Sequence, residues 1–280
     1  MAKGKKRKTS GPPHHAATNP RPGQPVKKPK SIVPQNQEPI VPFSAEDRIL
    51  LIGEGDFSFA KSIIEHQGCC DVTATSYDSQ AELYEKYAPQ AGEHIHYLED
   101  EGQTVLYDVD ATKLDQRKDL SKGGQLFDRI IFNFPHIGGK SKDVNRQVRF
   151  NQELLVKFFA SACTLLAAPE GTVVVTLFEG EPYTLWNIRD LARHSGLEVL
   201  RSFKFQAAVY PGYSHARTLG NIDGGGGWKG EDREARTYVF RKKGGAVAVD
   251  RRAQEKHGGS GSGKGKRKRS GEGSDEDDDG

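Results

Sequence analysis

Three short stretches carry residue types that could do chemistry. In ILLIGEGDFSFA, residues 49–60, a run of branched aliphatics stops at Gly53-Glu54-Gly55 and an apolar-studded segment follows. Glycines at such a place let the backbone turn tightly and approach a ligand. Asp78 closes the run Val72 to Tyr77. A carboxylate there can accept both hydroxyls of a ribose. Asn133-Phe134-Pro135-His136 closes a third run, Asp128 to Phe132. It places a planar amide, a stiff turn and an imidazole together.

The elements that must position these residues alternate. Arg48 to Ile52 is a continuous apolar run, which suits a strand buried on both faces of a parallel sheet. Asp56 can cap a helix with Phe59, Ala60, Ile63 and Ile64 on its apolar side. Val72–Tyr77 reads as the second strand. Ser79-Gln-Ala-Glu82 is a capping box that opens a helix to about Tyr87. Thr104–Tyr107 and Asp128–Phe132 read as the third and fourth strands. Residues 146–167 show helical spacing of Leu154, Leu155, Phe158, Phe159, Ala162, Leu165 and Leu166. Thr172–Phe178 is the plainest central strand, and Tyr183–His194 reads as helix. Glu198–Phe205 and Arg236–Arg241 are strands without a clear helix between them, so they can pair as an antiparallel ribbon at one edge. The expected fold is a doubly wound α/β layer structure, mostly parallel with an antiparallel edge and flanked by helices. Class I methyltransferases close their sheet in this way; spacing alone also permits other nucleotide-binding folds.

A dinucleotide fingerprint wants a third glycine where Ser58 stands, and the Lys-Ser/Thr order of a phosphate loop is absent. Both features serve phosphates. Their absence favours a nucleoside ligand without phosphates, such as S-adenosylmethionine. The candidate cofactor contacts are Gly53, Glu54, Gly55, Phe57, Ser58, Asp78, Asp110 and Ala111. Asp110 and Ala111, after the third strand, suit an adenine amino group. The competing readings are a ligand-free turn at the glycines, a helix cap at Asp78 and an ordinary turn at Asp110. Asn133-Phe-Pro-His136 is close to the (Asn/Asp)-Pro-Pro-(Tyr/Phe) element of methyltransferases that act on planar nitrogens. Phe134 replaces the first Pro and His136 the aromatic.

Charge is distributed unevenly. The 280 residues carry 41 Lys/Arg and 38 Asp/Glu, yet residues 1–44 hold nine of the cations against the single acid Glu38. Both 1–44 and 244–280 lack the apolar content needed to offset ordering entropy, so they are expected to be a disordered basic arm and a disordered Gly/Ser/Lys/Asp tail around a 45–243 domain. Their clusters Lys5–Lys8 and Lys264–Arg269 read as nuclear or nucleolar addresses that also adhere to RNA. No apolar run reaches membrane-span length and no secretory h-region opens the chain, so neither a membrane nor secretion is expected. Cys69, Cys70 and Cys163 form no CxxC, which fits a reducing compartment and no zinc site. His94 and His96 lack a third nearby ligand, so no metal is expected.

Taken in order, GEGDFSFA, ATSYD, VDAT, FDRIIFNFPHIGG, RFNQELLVKFF, TLFEGEPYTLWNI and YPGYSHARTLG resemble one family. It is the Rossmann-like 25S rRNA (uridine-N(3))-methyltransferase family of the fungal large ribosomal subunit. The resemblance runs from about Arg48 to Arg241. It implies S-adenosylmethionine as cofactor, large-subunit rRNA or a pre-ribosome as partner, and a nucleolar place of work; a monomer is expected. Uridine N(3) carries a proton and pairs in a helix, so the base must be unpaired or turned out of its stack. Asn133 is then expected to donate to a uracil carbonyl, and the Pro135 backbone to fix the base plane. His136, neutral near pH 7, is the candidate to accept the N(3) proton, with packing or stacking as its alternative. Lys140, Lys142, Arg146 and Arg149 suit RNA phosphates, against the alternative of a solvated helix start. Tyr213, His215 and Arg217 suit base stacking and phosphate contact, against that of an ordered edge loop. Asn151, Gln152, Glu179 and Glu181 are weaker site candidates. Two rival functions remain: a catalytically silent RNA-binding assembly factor on the same fold, and a nicotinamide-dependent oxidoreductase, which Ser58 disfavours.

Overall fold

The computed structural model describes Met1 and residues 39–139, 143–221 and 230–244. The architecture belongs to the compact unit that begins at Pro39. Among the described residues its seven strands are β1 (Arg48–Ile52), β2 (Asp71–Thr75), β3 (Thr104–Leu106), β4 (Arg129–Asn133), β5 (Thr172–Phe178), β6 (Leu197–Lys204) and β7 (Ala235–Lys242). They form one sheet in the order β3-β2-β1-β4-β5-β7-β6. The first five run parallel, and β7 lies antiparallel to both β5 and β6. This is the class I methyltransferase arrangement with its antiparallel edge.

The sheet is covered on both faces, and β1 shows why its run is unbroken. Leu50 and Ile52 point into one core with Ile130, Phe132, Val173 and Val175. Ile49 and Leu51 point into the other with Ile131 and Val174. The first core is closed by α4 (Val144–Leu165) through Leu155, Phe158, Phe159 and Ala162. The second is closed by α1 (Ser58–Gln67) through Phe59, Ala60 and Ile63 and by α3 (Gln90–Asp100) through Ala91, Ile95 and Leu98. Each of the Leu, Ile, Val and Phe side chains contributes about 1.5–3 kcal/mol on leaving water, and each Ala less.

Side-chain caps set the starts of two helices. The expected capping box opens α2 (Gln80–Tyr87): Ser79 accepts from the Glu82 amide, and Glu82 accepts from the Ser79 amide at 3.1 Å. Asp143 caps α4 by accepting from the Arg146 amide at 2.9 Å. Asp56 accepts from the Ser58 amide at 3.1 Å, but the residue entering α1 is Phe57, in the left-handed region. The expected helix over Tyr183–His194 is broken. A 3₁₀ turn at Tyr183–Trp186 ends on Asn187 at φ 51°, and α5 (Ile188–His194) starts afresh. The helix α3 was not anticipated from the sequence.

Candidate active site

The chain leaves β1 toward β2 and β3 on one side, then returns to place β4 on the other. The loops after β1 and β4 therefore diverge at a switch point, where open α/β sheets bind ligands. Register makes this specific. Ile52 pairs with Phe132, so Gly53 and Asn133 leave the sheet edge side by side. Between these loops lies a cavity of about 700 Å3, within the usual range for a small-molecule site. Gly53, Glu54, Gly55, Ser58, Asp78, Asp110, Ala111, Asn133 and His136 all line it.

The two glycines meet different constraints. Gly53 sits at φ +66°, and a Cβ there would stand 2.9 Å from the Phe132 ring. A Cβ on Gly55 would stand 2.8 Å from the Ala216 methyl. The second glycine thus admits a late segment, residues 210–221, against the loop. Ser58 binds that segment: its hydroxyl donates to the Ser214 carbonyl at 3.0 Å and accepts from the Ser214 amide at 3.1 Å. The Tyr87 hydroxyl donates to the Arg217 carbonyl at 2.9 Å. Phe57 departs from expectation. Its side chain is fully buried in the second core and lines no part of the cavity, because the left-handed turn points it inward.

Glu54 is half-buried in the glycine loop, with its Oε2 accepting from the Ala60 amide at 3.3 Å. Desolvation, and then the nearby Asp56 charge, push its pKa up to about 8. Asp78 carries a partner the sequence did not suggest: Lys86 Nζ lies 2.6 Å from its Oδ1, and both residues line the cavity. Asp110 accepts from the Thr112 amide at 2.9 Å and hydroxyl at 2.7 Å, with Lys113 at 3.4 Å. Burial pushes the Asp110 carboxyl upward, but these bonds outweigh it and hold the group below its ordinary value. Ile52, Val109, Ala111 and Phe132 supply apolar wall.

At the other side of the cavity, the Asn133 side chain has no hydrogen-bond partner among the described residues. Phe134 follows at φ +51°, a costly conformation for a residue with a side chain. Its amide donates to the Thr176 carbonyl at 2.8 Å, and its ring packs on Phe178 and His215 with centroids 4.5 Å away. Pro135 is buried and does not line the cavity. His136 stands exposed at the mouth, and its Nδ1 accepts from the Gly138 amide at 2.9 Å. Desolvation lowers its pKa. The accepting nitrogen has a physical consequence. A neutral ring that accepts at Nδ1 carries its hydrogen on Nε2 and offers a donor there. An acceptor for the N(3) proton would need a free ring lone pair, whereas in this arrangement Nδ1 is engaged and Nε2 carries the hydrogen.

Tyr213 and His215 lie in the cavity wall, not on an open stacking face. Tyr213 is edge-on to Phe59 at 5.7 Å and bonds His215 Nδ1 at 3.1 Å. The His215 ring fits against Phe134, Phe178 and Gly230, where a Cβ would come within 2.5 Å. Burial first of all drives the His215 pKa down to about 4. Arg217 flanks the wall without lining it. Arg146 and Arg149 are exposed on the opening turns of α4; Lys140 and Lys142 fall outside the described residues. Asn151 is buried, accepting from the Ile137 amide at 3.2 Å and donating to the Gln147 carbonyl at 2.9 Å, so it holds the loop after His136. Gln152 bonds the Leu185 carbonyl at 3.2 Å, and Glu179 pairs with Arg236 at 2.6 Å; neither lines the cavity. His94 donates from Nδ1 to the Asp56 carbonyl, 2.7 Å away. Unanticipated wall residues are Phe150, Glu153, Leu154 and Lys157 of α4. Of these only Leu154 is in the apolar spacing read from the sequence, where it marks a helix face.

Among the described residues, no helix is long and apolar enough to cross a membrane. Comparison with known proteins agrees with the topology. The family model described as BMT5-like, rRNA (uridine-N3-)-methyltransferase BTM5-like, matches residues 50–217. The 25S rRNA (uridine(2634)-N(3))-methyltransferase of Saccharomyces cerevisiae is 32% identical over 267 residues, covering 78% of this chain and 79% of that one. An uncharacterized protein of Arabidopsis thaliana is 34% identical over 206 residues, covering 71% of this chain and 94% of that one. Ferredoxin-fold anticodon-binding domain-containing protein 1 of Homo sapiens is 35% identical over 181 residues, covering 60% of this chain and 27% of that much longer one. The chain belongs to the BMT5-like rRNA (uridine-N3-)-methyltransferase family.

Proposed function

We propose that the protein methylates N(3) of a uridine in large-subunit ribosomal RNA, with S-adenosylmethionine as methyl donor. One observation carries the reading. The glycine loop, the Asp78 carboxylate and an Asn133 amide without a hydrogen-bond partner among the described residues line a single cavity at the switch point of the sheet. The residues present fit that cofactor. Asp78 suits ribose hydroxyls, Val109 and Ala111 an adenine ring, and the carboxylates of the glycine loop a cation. When bound, it supplies an activated methyl group on a sulfonium.

The protein's own task is then to orient and to exclude water. Uracil presents acceptor, donor and acceptor on its N(3) edge. Asn133 is suited to donate to one carbonyl and His136 Nε2–H to the other. Both contacts strengthen as N(3) gives up its proton and negative charge spreads to those oxygens. With Nδ1 of His136 engaged by Gly138, the proton leaves to water at the mouth. Phe134, locked by Phe178 and His215, holds the turn so that Asn133 faces the cavity. Arg146 and Arg149 are placed to meet RNA phosphates. The basic clusters at both ends of the sequence support action in the nucleolus.

Titration calorimetry of the full chain with S-adenosylmethionine, followed by radiolabelled methyl transfer to unmodified large-subunit rRNA, tests the proposal. The expected result is micromolar-range binding and label recovered as 3-methyluridine. Asn133→Ala is expected to keep cofactor affinity within about threefold and to lose at least ~100-fold in transfer. Binding without transfer on any large-subunit RNA would leave a silent assembly factor as the function.

A further inference from the structure

The ionisable wall of the cavity is unbalanced. Among the described residues, Glu54, Asp56, Asp78, Asp110 and Glu153 line it, against the cations Lys86 and Lys157. Lys86 pairs with Asp78 at 2.6 Å and Lys157 with Glu153 at 2.6 Å. Asp110 is held by Thr112 and Lys113. Among the described residues, no Lys or Arg pairs with Glu54 or Asp56. These two differ in turn. Asp56 is 5% exposed and serves the Ser58 amide. Glu54 has one oxygen on the Ala60 amide and opens on the cavity.

We propose that Glu54 is the specificity residue by which the pocket holds a sulfonium nucleoside more tightly than the thioether nucleoside left after methyl transfer. This rests on the cofactor reading above and names the residue that separates cofactor from product. The two ligands share adenosine and an amino-acid end. They differ by one methyl and one positive charge at sulfur, so only a charge-sensitive contact can discriminate strongly between them. A lone carboxyl beside a second acid in a desolvated loop answers that charge.

Glu54 retains its proton near neutral pH, since burial and Asp56 hold its pKa at about 8. Entry of the cation then converts the carboxyl to carboxylate and sends one proton to solvent. After methyl transfer the thioether no longer balances that charge, the carboxylate regains a proton from solvent, and the product is held less tightly. The other groups bearing on Glu54 do not take over this role. Tyr213 faces it from the late segment and stays neutral, its pKa driven well up by burial and then by Glu54 itself, with smaller contributions from Glu231, Asp56 and Tyr210. His94 is engaged with the Asp56 carbonyl, and His215 sits beyond Tyr213 with its pKa near 4.

The test is calorimetry of the full chain with S-adenosylmethionine and with S-adenosylhomocysteine, at about pH 6 and about pH 8.5, in two buffers of different ionisation enthalpy. For the wild type, the preference for the sulfonium ligand is expected to grow about tenfold between the two pH values. Near neutrality its binding should release close to one proton, seen as a buffer-dependent enthalpy. Glu54→Gln, checked for native circular dichroism, should remove both the growth and the proton release. If it does not fold, Glu54→Asp keeps the charge one methylene further back, and it should keep the pH dependence with a smaller preference. A preference in the variant equal to that of the wild type at both pH values overturns the inference while leaving the pocket a cofactor site. Failure of both nucleosides to bind the wild type removes the cofactor reading itself.

Discussion

The amide of Gly138 donates to Nδ1 of His136 across 2.9 Å. A second proton on that imidazole would set one N–H against another, and desolvation also disfavours the cation. His136 is thus arranged to donate from Nε2. His136→Gln keeps a side-chain N–H and should retain methyl transfer within about tenfold of wild type. His136→Ala should lose roughly 100-fold. The measurement is single-turnover transfer to rRNA at saturating cofactor, across pH. Equal inactivity of the Gln and Ala variants, with a wild-type rate that falls on acidification below the ordinary imidazole range, would restore the role of proton acceptor.

The two loop glycines should fail differently. Gly53→Ala forces a side chain into the left-handed region and against the Phe132 ring. Strain and overpacking together should cost roughly 2–4 kcal/mol of stability, read by urea unfolding. Gly55→Ala has ordinary backbone geometry but displaces Ala216. It should leave stability within about 1 kcal/mol and loosen the late segment, lowering transfer to RNA. Equal loss of stability in both variants would show that the late segment belongs to the rigid core.

How much of this was legible in the sequence depends on whether the signal was local. β1 and β5 were, because a strand buried on both faces is written as an unbroken apolar run, and the capping box at Ser79 announces its own helix. The paired ribbon of β6 and β7 followed from two strands with no helix between them. The helix α3 was missed although Ala91, Ile95 and Leu98 recur at helical spacing, because the polar residues between them dilute the pattern. The glycine, Asp78 and Asn133 placements were foreseen, since each follows a strand at the binding edge of the sheet. The Lys86 pair, the Ser58 clamp and the inward Tyr213 and His215 were not. Those depend on a segment more than a hundred residues away folding back over α1 and α2, or on about two helical turns bringing a lysine to an acid, and neither leaves a mark in local composition.

Ser58 offers a direct reading of that long-range closure. Ser58→Ala removes both hydroxyl bonds to Ser214. The expected cost is about 1–3 kcal/mol, with faster amide exchange confined to residues near Ser214. Hydrogen exchange by mass spectrometry resolves this. If Ser58 instead serves the cofactor, the same variant will lose S-adenosylmethionine affinity while exchange around Ser214 stays unchanged.

Glu54 makes a prediction about the protein without ligand. Its carboxyl titrates at about 8 in the folded chain against an ordinary value of 4.5. Between those values the folded state keeps a proton that the unfolded state has released. Stability must therefore fall as pH rises through this window and level off above it. Each unit of separation corresponds to about 1.4 kcal/mol, and access to cavity water reduces the sum. Glu54→Gln has no proton to lose, so it should match wild type near pH 4 and exceed it by roughly 1–3 kcal/mol near pH 9. Urea midpoints at the two pH values decide the matter. A wild type as stable at pH 9 as at pH 5, relative to the variant, would mean that the carboxyl is already ionised in the free protein, and the acid would then meet its cation as a standing charge.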